Sequence, residues 1–264
     1  MYEKGVLQDM VDFINTELID VIELRNVHQS YDGGATFIIQ DFNFLVEHAP
    51  NKGKFVVLLG VSGCGKSTVL RYIAGLQKPT SGDVWVNGHM RTDDDIVSMV
   101  FQQYSSLPFK TVLDNVMLPL IFRKMPYREA REQAMEMIKM VDLEGHEGKF
   151  AKAPLLSGGQ LQRVAIARSL ISNPHIILMD EPFGALDVYT RFKMQVMLAD
   201  IWERMEITVL FVTHDIHEAV FLADDIYIMQ ARPGKIVQHI SVDLPLHRDR
   251  STKRQPQFID LVHA

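Results

Sequence analysis

The segment Gly60-Val61-Ser62-Gly63-Cys64-Gly65-Lys66-Ser67-Thr68 constrains this chain more than any other. It fits the G-x-x-x-x-G-K-[ST] pattern of a phosphate-binding loop without a gap. The apolar run Phe55–Leu59 reads as the strand before it, and Ser67–Leu76 as the helix after it. Glycines at these positions let the backbone curl so that successive N–H groups point at phosphate oxygens. The helix start adds roughly half a positive charge. Gly60, Ser62, Gly63, Cys64 and Gly65 are expected to line the phosphates, with Lys66 reaching the β- and γ-phosphates of a nucleotide. The Ser67 hydroxyl is expected on Mg²⁺, and Thr68 on the α-phosphate side.

Such a loop needs a second magnesium contact from a neighbouring strand. Ile176-Ile177-Leu178-Met179-Asp180-Glu181 offers four apolar residues as a buried strand, then two carboxylates at its end. Asp180 is expected to hold Mg²⁺ directly or through water, and Glu181 to polarise an attacking water.

The length suffices for one large domain or two modest ones. The chain has 264 residues, 47% apolar and 23% charged, which excludes a mainly disordered, collagen-like or coiled-coil protein. Lys+Arg number 27 and Asp+Glu 33, and 27 − 33 = −6 argues against a general nucleic-acid binder. A single cysteine cannot form an intrachain disulfide, which fits a reducing compartment. The first residues lack the apolar core of a secretory signal, and no apolar run approaches the ~18 residues that span a bilayer. An intracellular protein that does not itself cross a membrane is expected.

Leu7, Met10, Val11, Ile14 and Leu18 recur at helical spacing, so residues 1–19 read as a helical N-terminal extension. Residues 20–103 and 172–240 read as strand-rich core, with antiparallel strands first. Between them, 104–171 reads as an inserted helical portion, with one helix opening at Pro126 and another from Gly159 to Ile171. Strands alternating with helices predict a largely parallel sheet covered on both faces. Residues 241–264 read as a polar tail, locally basic at Arg248, Arg250, Lys253 and Arg254, that is solvated or else touches lipid headgroups.

Leu156-Ser157-Gly158-Gly159-Gln160, followed by LQRVAIARSL, is where the chain closely resembles the ATP-binding subunit of ABC transporters. The resemblance implies a P-loop NTPase (RecA-like) α/β core, with an N-terminal antiparallel β portion and an inserted helical subdomain. It implies ATP and Mg²⁺ as ligands. Ser157, Gly158, Gly159 and Gln160, at a helix start, would form a second anion site. In the family that site closes on ATP held by a second copy of the subunit, so that ATP glues a head-to-tail dimer.

The smaller motifs match residue by residue. Tyr31 stands at the aromatic residue that stacks on adenine, and Gln102 at the glutamine that senses Mg²⁺ and the γ-phosphate. Gln103 offers the same side chain, but the V-F-Q spacing points to Gln102. Asp187 lies in the loop that crosses the dimer interface, where Gly184 replaces a commoner serine. His214 matches the histidine that contacts the γ-phosphate.

TVLDNV at 111–116, ARPGKI at 231–236 and the ending VDLPLHRDRSTKRQPQFIDL resemble the nitrate, sulfonate and taurine importers, with His247 where arginine is more usual. The resemblance implies polytopic permease partners on the inner face of the cell membrane, an indirectly coupled solute-binding protein, and no nucleic acid. Tyr104, Leu107, Pro108 and Phe109 stand where a permease helix would dock, or else fill the insertion's own core. An exporter ATPase, or a soluble relative acting on nucleic acid or ribosomes, remains open. The soluble relatives usually carry two such domains or a coiled-coil insertion. Cys64, beside a helix N-terminus, could be a regulatory thiol. Asp93-Asp94-Asp95 reads as a solvated turn, and His214 with His217 lacks the further ligands of a zinc site.

Overall fold

The structure, a computed structural model, describes residues 19–48, 53–103, 105–205 and 207–263. The expected helix over 1–19 falls outside the described residues except at Ile19, which begins a strand. In chain order the strands are β1 (Ile19–Gln29), β2 (Ile39–His48), β3 (Phe55–Gly60), β4 (Ser81–Val86), β5 (His89–Met90), β6 (Ser98–Val100), β7 (Ile176–Asp180), β8 (Thr208–Thr213), β9 (Asp225–Gln230) and β10 (Lys235–Ser241). The helices are α1 (Lys66–Ile73), α2 (Val112–Phe122), α3 (Tyr127–Met140), α4 (Gly158–Leu170), α5 (Val188–Met205), α6 (Ile216–Leu222) and α7 (Pro256–His263).

Two sheets form. One is antiparallel, in the order β2-β1-β4-β5, and the other runs β10-β9-β3-β8-β7-β6. Within the second, β9, β3, β8, β7 and β6 are mutually parallel and only β10 is antiparallel. Its central strands are near-continuous apolar runs because both faces are covered. Side chains alternate between faces. Phe55, Val57 and Leu59 of β3, with Val209 and Phe211 of β8, join one core with α2 to α7. Val56, Leu58, Leu210 and Val212 join the other core with α1 and the antiparallel sheet. A one-residue slip in β3 would exchange the two sets, so register is strongly specified.

The intervening helices explain themselves locally. Thr111 caps α2, its hydroxyl accepting from the Asp114 N–H while Asp114 accepts back from the Thr111 backbone. Periodicity does not mark this helix, but the T-x-x-D pair marks its start. Helix α3 follows Pro126 and buries Ala130, Ala134, Met137 and Ile138, as the spacing predicts. Helix α1 is shorter than expected. It ends at Ile73 because Gly75, at φ +71°, turns the chain away.

Buried Asn115 pins the loop before α2: Leu107 N–H donates to its Oδ1 at 2.7 Å, and its Nδ2 donates to Leu107 O at 3.0 Å. Arg168 reaches the same loop, donating to Ser105 O at 2.7 Å. The pinned loop turns Phe109 outward, 70% exposed, so this ring does not fill the local core.

The C-terminal segment corrects the expectation of a solvated tail. Arg248 is 1% exposed, and its guanidinium donates to the carbonyls of Phe221 and Ala223, both at 2.8 Å. Phe258 of α7 is buried in the core that Phe221 also joins. The uncapped carbonyls at the end of α6 attract a cation, and Arg248 supplies it.

Candidate functional site: a phosphate loop at the carboxyl edge of the sheet

Because β3, β8, β7 and β6 are parallel, the residues that follow them share one edge of the sheet. These are the loop from Gly60, then His214, Glu181 and Gln102. Crevices at such carboxyl ends are where open α/β sheets hold ligands.

The phosphate loop is tightly seated. A Cβ on Gly60 would lie 2.5 Å from Met229 O and 2.8 Å from Cys64 Sγ, so only glycine lets β3 turn there. Gly65, at φ +106°, leads directly into α1. Lys66 is 4% exposed, and its Nζ donates to Gly60 O at 2.7 Å and Val61 O at 3.1 Å. The same ammonium lies 3.6 Å from Glu181 Oε1. The Cys64 side chain is buried, which removes the exposure that a redox-sensing thiol needs.

Ser67 Oγ donates to Asp180 Oδ1 at 2.8 Å, which joins the start of α1 to the end of β7. Burial pushes the Asp180 carboxyl up; the Ser67 hydrogen bond opposes this and the Glu181 charge adds to it. Glu181 occupies φ +42°, a left-handed conformation costing about 1–2 kcal/mol for an L residue. Its N–H donates to Val212 O at 3.0 Å, which fixes the turn. Residues held in such conformations cluster at active sites and ligand clamps. His214 Nδ1 lies 2.9 Å from Glu181 Oε2. A Cβ on Gly184 would stand 3.6 Å from Gln102 Nε2 and 3.9 Å from Glu181 Oε2, so Gln102 belongs to this cluster.

Tyr31 follows β1 with its ring 65% exposed and its hydroxyl accepting from Gln77 Nε2 at 2.9 Å. Its loop returns as β2 at Ile39, whose side chain packs against Gly65. Within that loop the Thr36 hydroxyl and N–H hold the Asp32 carboxyl down at about 2.

Ser157 to Gln160 sit elsewhere. Ser157 caps α4, its Oγ accepting from Gln160 N at 3.3 Å, and Gln160 Oε1 accepts from Ser157 N at 2.9 Å. Gln160 Nε2 lies 2.6 Å from His146 Nε2. A Cβ on Gly159 would meet Thr190 Cγ2 at 2.7 Å. Asp187 caps α5, its Oδ1 accepting from Tyr189 N and Thr190 N, both at 3.1 Å, and with the Thr190 side chain these bonds hold its carboxyl low. Ser157, Gly159 and Asp187 thus form a second cluster. None of the hydrogen bonds or ion pairs among the described residues joins it to the phosphate loop. Gln195, Thr213 and Glu218 also stand behind His214, and no motif spacing in the sequence marks them.

The family pattern described as ABC transporter matches residues 46–184, over half of the chain. The chain belongs to the ABC transporter family. It is an ABC ATP-binding subunit and thus an ATP hydrolase, with an α/β P-loop fold. It is 44% identical over 232 residues to the aliphatic sulfonates import ATP-binding protein SsuB 1 of Shouchella clausii, covering 88% of this chain and 85% of that protein. It is 39% identical over 246 residues to the nitrate import ATP-binding protein NrtD of Synechocystis sp., covering 90% of each. Among solved structures, the dimeric structure of a bacterial ABC transporter cassette is 37% identical at a TM-score of 0.72, covering 84% of this chain and 99% of that one. A dimeric post-hydrolysis state of that cassette, bound to ADP and Pi, matches equally. Among the described residues of this ABC subunit, no helix is long and apolar enough to cross a membrane.

Proposed function

We propose that this ABC subunit drives uptake of small anions of the nitrate, sulfonate and taurine class through separate membrane permeases, from the inner face of the cell membrane. Two copies would close head to tail around two ATP. The single observation that carries this reading is the division of the site into two clusters. The phosphate loop with Asp180, Glu181, Gln102 and His214 is one, and Ser157–Gln160 beside Asp187 is the other. A second copy brings the missing half to each.

In this reading Gly60–Thr68 binds the phosphates, with Lys66 moving from the Gly60 and Val61 carbonyls to phosphate oxygens. Tyr31 stacks on adenine. Glu181 accepts the proton of the water that attacks the γ-phosphorus, ADP is the leaving group, and His214 steadies the γ-phosphate from the opposite side of Glu181. Ser67 Oγ and Asp180 Oδ1, 2.8 Å apart, are hard oxygen donors suited to Mg²⁺, and Gln102, near Gly184, would add a third. When bound, that ion neutralises charge on the β- and γ-oxygens. The import direction draws support from the two importer ATPases that the chain is similar to. The outward Phe109 ring, on a loop held by Asn115 and Arg168, suits an apolar permease helix.

The test uses tagged Glu181→Gln protein with ATP in solubilised native membranes. Hydrolysis should fall about 10²–10⁴-fold while ATP still binds. Light scattering should show an ATP-dependent dimer, and capture should recover a polytopic permease in stoichiometric amount. A monomer that turns over normally, or recovery of ribosomal partners alone, would overturn the proposal.

A further inference from the structure

The C-terminal segment is wired to the backbone on either side of His214. Arg248 anchors the segment to the end of α6, and a single 3₁₀ turn at Thr252–Arg254 then aims Lys253 inward. The Lys253 ammonium lies 4.8 Å from the centre of the Phe192 ring and 4.9 Å from that of Phe221. It donates to Gln195 Oε1 at 3.0 Å. Gln195, buried in α5, donates from Nε2 to Glu218 Oε1 at 3.2 Å. Glu218, buried in α6, accepts on Oε2 from the Thr213 hydroxyl at 2.7 Å. The same hydroxyl accepts from the Asp215 N–H at 3.0 Å. Arg191 flanks the line, 3.4 Å from Asp215 Oδ2 and 3.9 Å from Glu218 Oε1.

Each link has only one workable orientation. An ammonium has no acceptor, so it must face the amide oxygen of Gln195, and that turns the amide NH₂ toward Glu218. A hydroxyl has one proton. Spending it on Glu218 leaves the lone pairs of Thr213 for Asp215 N–H. The chain of bonds therefore sets the backbone at 213 and 215, which carries His214 toward Glu181. Burial pushes the Glu218 carboxyl up and the Lys253 ammonium down, so both act in surroundings that screen charge poorly.

We infer that Lys253 is a positioning residue for ATP hydrolysis, holding His214 in register with Glu181 through Gln195, Glu218 and Thr213. The inference rests on the proposed role of His214.

Lys253→Met keeps the aliphatic stem between the two rings and removes the donor. It should lower kcat about three- to tenfold, the worth of one hydrogen bond, with KM for ATP and ATP affinity unchanged. Lys253→Arg should restore most of the rate. In a Thr213→Val background the Lys253→Met loss should vanish, because the line is already cut. Leu261→Ala loosens α7, which carries no member of this line, from the core, and should leave kcat as it is. Normal turnover by Lys253→Met, an undiminished Lys253→Met loss in the Thr213→Val background, or an equal loss in Leu261→Ala would each overturn the inference. His214→Ala separates the two readings. If it turns over normally, the role of His214 falls and takes the inference with it. If it is impaired while Lys253→Met is not, the inference alone falls.

Discussion

Two loop glycines at the carboxyl edge of the sheet differ in what they tolerate. At Gly60 an added methyl would overlap the Met229 carbonyl, and that oxygen belongs to the backbone of β9, which cannot swing aside. Gly60→Ala should therefore cost about 1–3 kcal/mol and weaken ATP binding together with stability. At Gly184 a Cβ meets its nearest neighbours at 3.5 Å or more, ordinary van der Waals contact. Gly184→Ala should stay within about 0.5 kcal/mol of the parent. Urea midpoints and an ATP titration on the two variants check the contrast. The motif singled out Gly60 as a loop glycine because its spacing to Lys66 and Ser67 is local. The Met229 oxygen that makes the glycine obligatory is 169 residues away and carries no local signal.

Elements are tied at their ends by charges that the sequence does not pair. Asp225 begins β9 and binds Lys54 Nζ at 2.6 Å, His239 Nε2 at 2.7 Å and Ser241 Oγ at 3.0 Å, joining the start of β3 to β10. Burial raises its pKa, but hydrogen bonds from Lys54, His239 and Ser241 outweigh that, so the carboxyl lies below its ordinary value. A native pKa below the unfolded one stabilises the fold fully above the unfolded value of about 3.9. That contribution is lost as pH falls from about 5 through the depressed native value. Asp225→Asn should be less stable by about 1–3 kcal/mol at neutral pH and should show a shallower acid loss than the parent. Denaturant melts from pH 7 down to pH 3 test both. Two helix starts, by contrast, carry a signal local to the sequence. Ser157 with Gln160 and Thr111 with Asp114 sit three residues apart, within reach of each other whatever the rest of the chain does.

At the scale of the molecule, Arg248 locks the C-terminal segment onto α6. Arg248→Met would keep volume but leave the carbonyls of Phe221 and Ala223 without that donor, at a cost on the order of 3 kcal/mol. Calorimetry should show the loss as a lower Tm, with ATP affinity preserved, since the phosphate loop lies in the other half of the core. Read as sequence, Arg248, Arg250, Lys253 and Arg254 are a basic run, and basic runs are usually solvated. Only the folded chain brings helix-end carbonyls and a buried glutamine to them. The same division holds throughout this ABC subunit. The phosphate loop, the Asp180-Glu181 strand end and the capping pairs were determined by the sequence alone, because their chemistry is complete within a few neighbouring residues. Tertiary structure alone decided which strand ends meet, that no hydrogen bond or ion pair among the described residues joins Ser157 to the phosphate loop, and that Lys253 answers to Thr213. Those depend on parallel strand order and on burial, which bring together groups that no local spacing relates.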